Sequence, residues 1–233
     1  MKAYSAFFML IVVASLTVLQ GAMAQDFDIK EIRDGVETLM IHEDGRTQAA
    51  VLLVLDSAAA EFAAGKDPQT FPVFAAFLMS DGKGTGAMAQ QLLEASKQNE
   101  RQSWQEDLAT VTRFKLATRS KNFASVAQLY DAARASATRL GESDFVVLGA
   151  IRDALGYDKQ SFAMGVNFLF CTSLADEGKY DAALKAANIL DAHLHQQVKT
   201  YVTALRNPIN LKEIEDAALK RNIDEQKSRK ASE

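Results

Sequence analysis

Leu174-Ala175-Asp176-Glu177-Gly178-Lys179-Tyr180-Asp181-Ala182-Ala183-Leu184 reads as a helix end, a tight turn and a helix start. Gly178 accepts the left-handed conformation that closes a helix, and Tyr180 places a ring just past the turn. Ala183, three residues on, leaves room for two helices to approach closely. Such a junction specifies a helical hairpin. Lys121-Asn122-Phe123 and Gly156-Tyr157-Asp158 share the pattern, each with an aromatic at or just past the turn, where a ring can wedge between two helices and set their crossing.

The chain is rich in Ala, Leu, Lys, Glu and Gln, and its only prolines are Pro68, Pro72 and Pro208, a composition that favours helices and seldom interrupts them. Ile32, Val36, Leu39 and Met40 form a helical face after Ile29 that ends near Asp44-Gly45. The apolar run from Ala49 to Leu55 is continued by Ala58-Ala59-Ala60-Glu61-Phe62-Ala63-Ala64, which is far too long for a strand. A helix is therefore expected over 46–64, with further helices over 71–79, 87–99, 104–118, 123–139, 143–155, 159–177 and 180–206. Their short connections force antiparallel neighbours. The expected fold class is all-α, built of stacked antiparallel helical hairpins in a single domain over 25–219. Asp81-Gly82-Lys83-Gly84-Thr85-Gly86 interrupts it as a flexible loop; it lacks the G-x-x-x-x-G-K-[ST] spacing and a preceding strand, so it reads as a linker rather than a nucleotide loop.

The Gly178-Lys179-Tyr180 turn followed by Ala183 resembles the centre of a tetratricopeptide repeat. Phe123, Val126, Tyr130 and Ala133 fall at corresponding positions, and Phe123 and Tyr157 lie 34 residues apart, the period of that family. The pattern is degenerate: Tyr157 and Tyr180 are 23 apart, Gln160 and Asn167 stand where small residues are usual, and the closing proline is missing. The resemblance spans about 104–206 and implies a superhelical protein-binding scaffold; an unrelated helical bundle is the competing arrangement.

The N-terminus indicates where such a scaffold works. Lys2, an apolar run from Ala6 to Leu19 and Ala22-Met23-Ala24 before Gln25 have the layout of a secretory signal peptide over 1–24. The run of about 14 residues is shorter than the ~20 of a membrane span, so the expected product is periplasmic or extracellular. Without Lys2 the mature chain has 25 Lys and Arg against 30 Asp and Glu, a mild acidity that makes nucleic acid an unsuitable partner. Residues 220–233 form a charged tail.

Catalytic and metal signatures are weak. His193 and His195 point about 200° apart on a regular helix, and His42 joins them only if the fold brings it close. The lone Cys171 lies in Phe168-Leu169-Phe170-Cys171 and is expected to be a buried, unpaired thiol. The sequence therefore leads to an exported, non-enzymatic scaffold with no cofactor and no metal, which binds a protein or peptide through Phe168, Thr172 and Asp176, spaced four residues apart on the inner helix of the last hairpin. The alternative is a small-molecule or lipid carrier whose pocket is lined by the apolar segment Phe71 to Met79.

Overall fold

Side-chain caps begin the first two helices among the described residues. The Asp28 carboxylate accepts from the backbone N–H of Lys30 and Glu31 at 3.0 and 3.1 Å and opens α1, Ile29–Leu39. Asp44 does the same for Arg46 and Thr47, opening α2, Gly45–Ala63. The computed structural model describes residues 27–41, 43–96 and 101–207. The remaining helices are α3 (Thr70–Met79), α4 (Gly86–Ser96), α5 (Ser103–Arg119), α6 (Phe123–Glu142), α7 (Val146–Leu155), α8 (Ser161–Asp176), α9 (Tyr180–Ala186) and α10 (Ala192–Arg206), with a 3₁₀ turn at Ala187–Ile189. The protein is all-α: among the described residues there is no strand. The leader, His42 and the charged tail lie outside them.

The apolar α3 is the centre of the larger core. All its residues are buried, and it packs against α1, α2, α4 and α5. Phe71 and Phe74 are fully enclosed, each worth about 1.5–3 kcal/mol of apolar burial. The helices α5 and α6 form an antiparallel hairpin that carries α8 on its other side. Tyr130 of α6 stacks on Phe170 of α8 at 3.8 Å between ring centroids, and its hydroxyl donates to Asn167 Oδ1 at 3.0 Å. That bond satisfies a buried amide at a position where the repeat pattern calls for a small residue.

A second, smaller core forms around Cys171, Ala175, Ala183, Ala187, Val198 and Val202, between the C-terminal half of α8 and α9–α10. Cys171 is buried as expected, and its burial pushes the thiol pKa up to about 11. Ala183 is fully enclosed, where α9 lies against α8.

The helix expected over 180–206 is broken. The chain tightens into the 3₁₀ turn and becomes extended at Leu190; Asp191 then accepts from the Leu194 N–H at 2.9 Å to open α10. The break lets α9 and α10 both pack on α8. The three turns expected as hairpin junctions all adopt left-handed backbone, with φ of 53° at Lys121, 66° at Gly156 and 84° at Gly178, but only the first and third join helices that pack on each other: beyond Gly156 the chain does not fold back on α7, which packs on α2 instead.

Candidate functional site

The three residues expected to share a binding face do not converge. Steps of four residues drift by about 40° around a helix, and over the two steps from Phe168 to Asp176 the face rotates from the interior to the rim. Phe168 lines a small apolar cavity beside Phe77 and Lys115. The Thr172 hydroxyl donates back to the carbonyls of Phe168 and Leu169 at 3.3 and 3.1 Å, which commits its one O–H within its own helix. Asp176 alone reaches a large depression.

That depression is a groove of about 1400 Å³, bounded by the glycine loop at 82–84, the start of α4, the end of α5, the turn at 120–122, the start of α6, and Asp176 with Tyr201. Lys83, Arg113, Arg119 and Lys121 line it, against one carboxylate, Asp176, on a chain whose formal net charge is −4. Their counter-charges are at the edge. Arg113 pairs with Glu106 at 2.9 Å, whereas Arg119 stands 3.6 Å from Asp81 and Lys121 stands 3.7 Å from Asp176. Lys83 has no ion pair among the described residues. Two helix N-termini, those of α4 and α6, also open here and add their partial positive charge.

Lys121 has the backbone that its neighbours assign to glycine. It is the only non-glycine with positive φ among the described residues, at a turn whose two counterparts use Gly156 and Gly178. A side chain with Cβ costs roughly 1–2 kcal/mol in that conformation. Asp176 fixes the far rim: it accepts from the Tyr201 hydroxyl, and this hydrogen bond, then burial, then the carboxylate's charge push the Tyr201 pKa up to about 12.

A second feature lies on the other side of Asp81. Lys115 of α5 is only 7% exposed, and its ammonium donates to Asp81 Oδ2 at 2.6 Å and to the Phe77 carbonyl at 3.3 Å. Burial lowers its pKa while the Asp81 charge and hydrogen bond oppose that shift. Of the apolar α3 segment expected to line a carrier pocket, Phe71 and Phe74 are closed core; Phe77 faces a cavity of about 180 Å³, and Phe77 and Leu78 face a neighbouring one of about 260 Å³.

His193 and His195 diverge as the helical spacing requires: His193 Nε2 meets the Gln197 amide at 2.9 Å, and His195 Nδ1 meets the Ala187 carbonyl at 3.1 Å. The groove cations escaped sequence reading because they come from the loop, α5 and the α5–α6 turn. The one local signal was a lysine in the place of the turn glycine. No protein-family model matches the chain, and neither a curated protein nor a solved structure matches it.

Proposed function

We propose that this chain is an exported, non-enzymatic helical scaffold that binds an acidic, extended segment of a protein partner in the groove between the glycine loop, the α5–α6 turn and Asp176. The observation that carries the reading is Lys121: a left-handed lysine is kept where glycine would relax the turn, and its ammonium lines the groove. Strained backbone of this kind persists where a side chain is needed in place. Lys83, Arg113 and Arg119 extend the same sign of charge, which steers and orients an oppositely charged segment. Asp176 acts from within the site by holding Lys121 and Tyr201 rather than by meeting the partner's acids.

The left-handed turns at 121 and 178, each joining two packed helices, and the enclosed Ala183 support a tetratricopeptide-like hairpin stacking for this scaffold, which α7 interrupts by packing on α2. Export rests on residues 1–24, and sequencing of the mature N-terminus is expected to begin at Gln25.

Binding of a fluorescent glutamate-rich octapeptide, followed by anisotropy over a salt series, tests the groove. Saturable binding that weakens with salt and is absent for a lysine-rich octapeptide supports the reading. Equal binding of both peptides removes it.

A further inference from the structure

The groove leaves Lys115 unexplained. Its ammonium is almost wholly enclosed, yet it borders a cavity of about 180 Å³ whose walls include Phe77, Phe162, Val166 and Phe168. A dry cavity of about 150 Å³ lined by such side chains holds a benzene ring, so this one has the size for a substituted ring. An ammonium has three N–H groups. Asp81 and the Phe77 carbonyl take two, the Phe77 ring lies 3.9 Å below the nitrogen, and the third N–H has no oxygen acceptor among the described residues.

The charge already present decides what this donor accepts. Asp81 stands 2.6 Å from Lys115 and is shared with Arg119 at 3.6 Å, so a carboxylate entering the cavity would meet a second carboxylate at the same ammonium. A neutral acceptor oxygen meets the remaining N–H without that repulsion.

Gly165 stands at the exposed edge of the cavity. It lies inside α8, where glycine destabilises a helix relative to alanine, and it lines the cavity. A Cβ built there meets nothing within 4 Å, so close packing does not require the glycine. A long side chain at this exposed position has space to reach across the mouth. Beyond Tyr157 a second cavity of about 260 Å³ has Phe77, Asp81 and Tyr157 as walls in common with this one.

We propose that the Lys115 cavity is a binding site for an uncharged, ring-sized aromatic compound with a carbonyl group, its ring against Phe77, Phe162 and Phe168 and its oxygen accepting from the third N–H of Lys115. The site has no lining residue in common with the groove, although Asp81 also stands 3.6 Å from Arg119 at the groove's edge.

Fluorine NMR on the full chain, with 4-fluoroacetophenone, 4-fluoroethylbenzene and 4-fluorobenzoate as probes, tests it. The ketone is expected to bind about tenfold more tightly than the hydrocarbon, as a charged donor to a neutral acceptor warrants, and more tightly than the benzoate. Lys115→Met should bring ketone and hydrocarbon to equal affinity. Gly165→Leu, which replaces a helix-interior glycine in open space, should stay folded with an unchanged or higher melting temperature and lose all three probes. Preference for the benzoate, probe binding unaltered in folded Gly165→Leu, or no ketone binding at millimolar concentration in the unmodified protein overturns the proposal. Octapeptide binding in the groove should be the same in Gly165→Leu and the unmodified chain, so the two readings fail separately.

Discussion

The Tyr201 hydroxyl donates a 2.5 Å hydrogen bond to Asp176 Oδ1 and ties α10 to the end of α8 at the rim of the groove. The bond favours the protonated phenol and raises its pKa from 10.0 to about 12. A raised folded-state pKa means that this stabilisation is fully present below pH 10 and is lost as the pH rises through about 12. In an absorbance titration of tyrosinate, Tyr201→Phe should therefore remove a component near pH 12, and Asp176→Asn should move that component down towards 10. Loss of an ordinary component near 10 in Tyr201→Phe would show that the bond is not made in solution.

Small residues at two close approaches set the stacking of the helices. Gly141 ends α6 against the 158–160 segment, where an added Cβ would lie 1.8 Å from the Lys159 carbonyl oxygen. Ala183 is fully enclosed between α8 and α9. Gly141→Ala and Ala183→Leu should each destabilise by roughly 1–3 kcal/mol in urea unfolding, through forced backbone or side-chain displacement. A neutral Ala183→Leu would contradict the close hairpin, and a neutral Gly141→Ala would contradict the approach of Lys159.

The turn before α3 carries an acid-sensitive contact. Asp67 accepts from the backbone N–H of Gln69 and Thr70 at 2.9 and 3.0 Å and from the Thr70 hydroxyl at 2.5 Å. Partial burial raises its pKa, but the Thr70 hydroxyl and the two N–H groups outweigh it, and the net shift is downward. A depressed carboxyl pKa stabilises the fold above the ordinary value of 3.8 and ceases to do so as the pH falls through the folded value. Asp67→Ala should cost about 1 kcal/mol at pH 7, with the gap to the unmodified protein closing in acid. A gap that persists unchanged at pH 2 would assign the loss to packing instead.

The helices were legible because their signals are local. Apolar periodicity, the Gly178 turn and the small Ala183 each act within a few residues, and the described structure has helices where those signals fall. The break at Leu190-Asp191 was not, because an aspartate between apolar residues on a long amphipathic stretch looks like one more exposed acid. Only the packing of α9 and α10 on the same helix makes it a cap. Lys115 was hidden for the same reason. Its sequence neighbours place it on an ordinary helix, and its burial comes from Phe77 and Asp81, more than thirty residues away. Of the expected binding face, Asp176 reaches the groove, while helical drift takes Phe168 and Thr172 elsewhere.

The proposed role of Lys121 can be separated from its effect on the fold most sharply, because the residue proposed to serve binding is the one that strains the turn. Lys121→Gly removes the ammonium and gives the left-handed position its preferred residue. In paired measurements of thermal unfolding and anisotropy with the glutamate-rich octapeptide, the variant should melt at the same or a higher temperature and bind about threefold or more weakly, the scale of one partly exposed ion pair. A folded Lys121→Gly protein that binds the octapeptide as tightly as the unmodified chain, with the same salt dependence, would contradict the account.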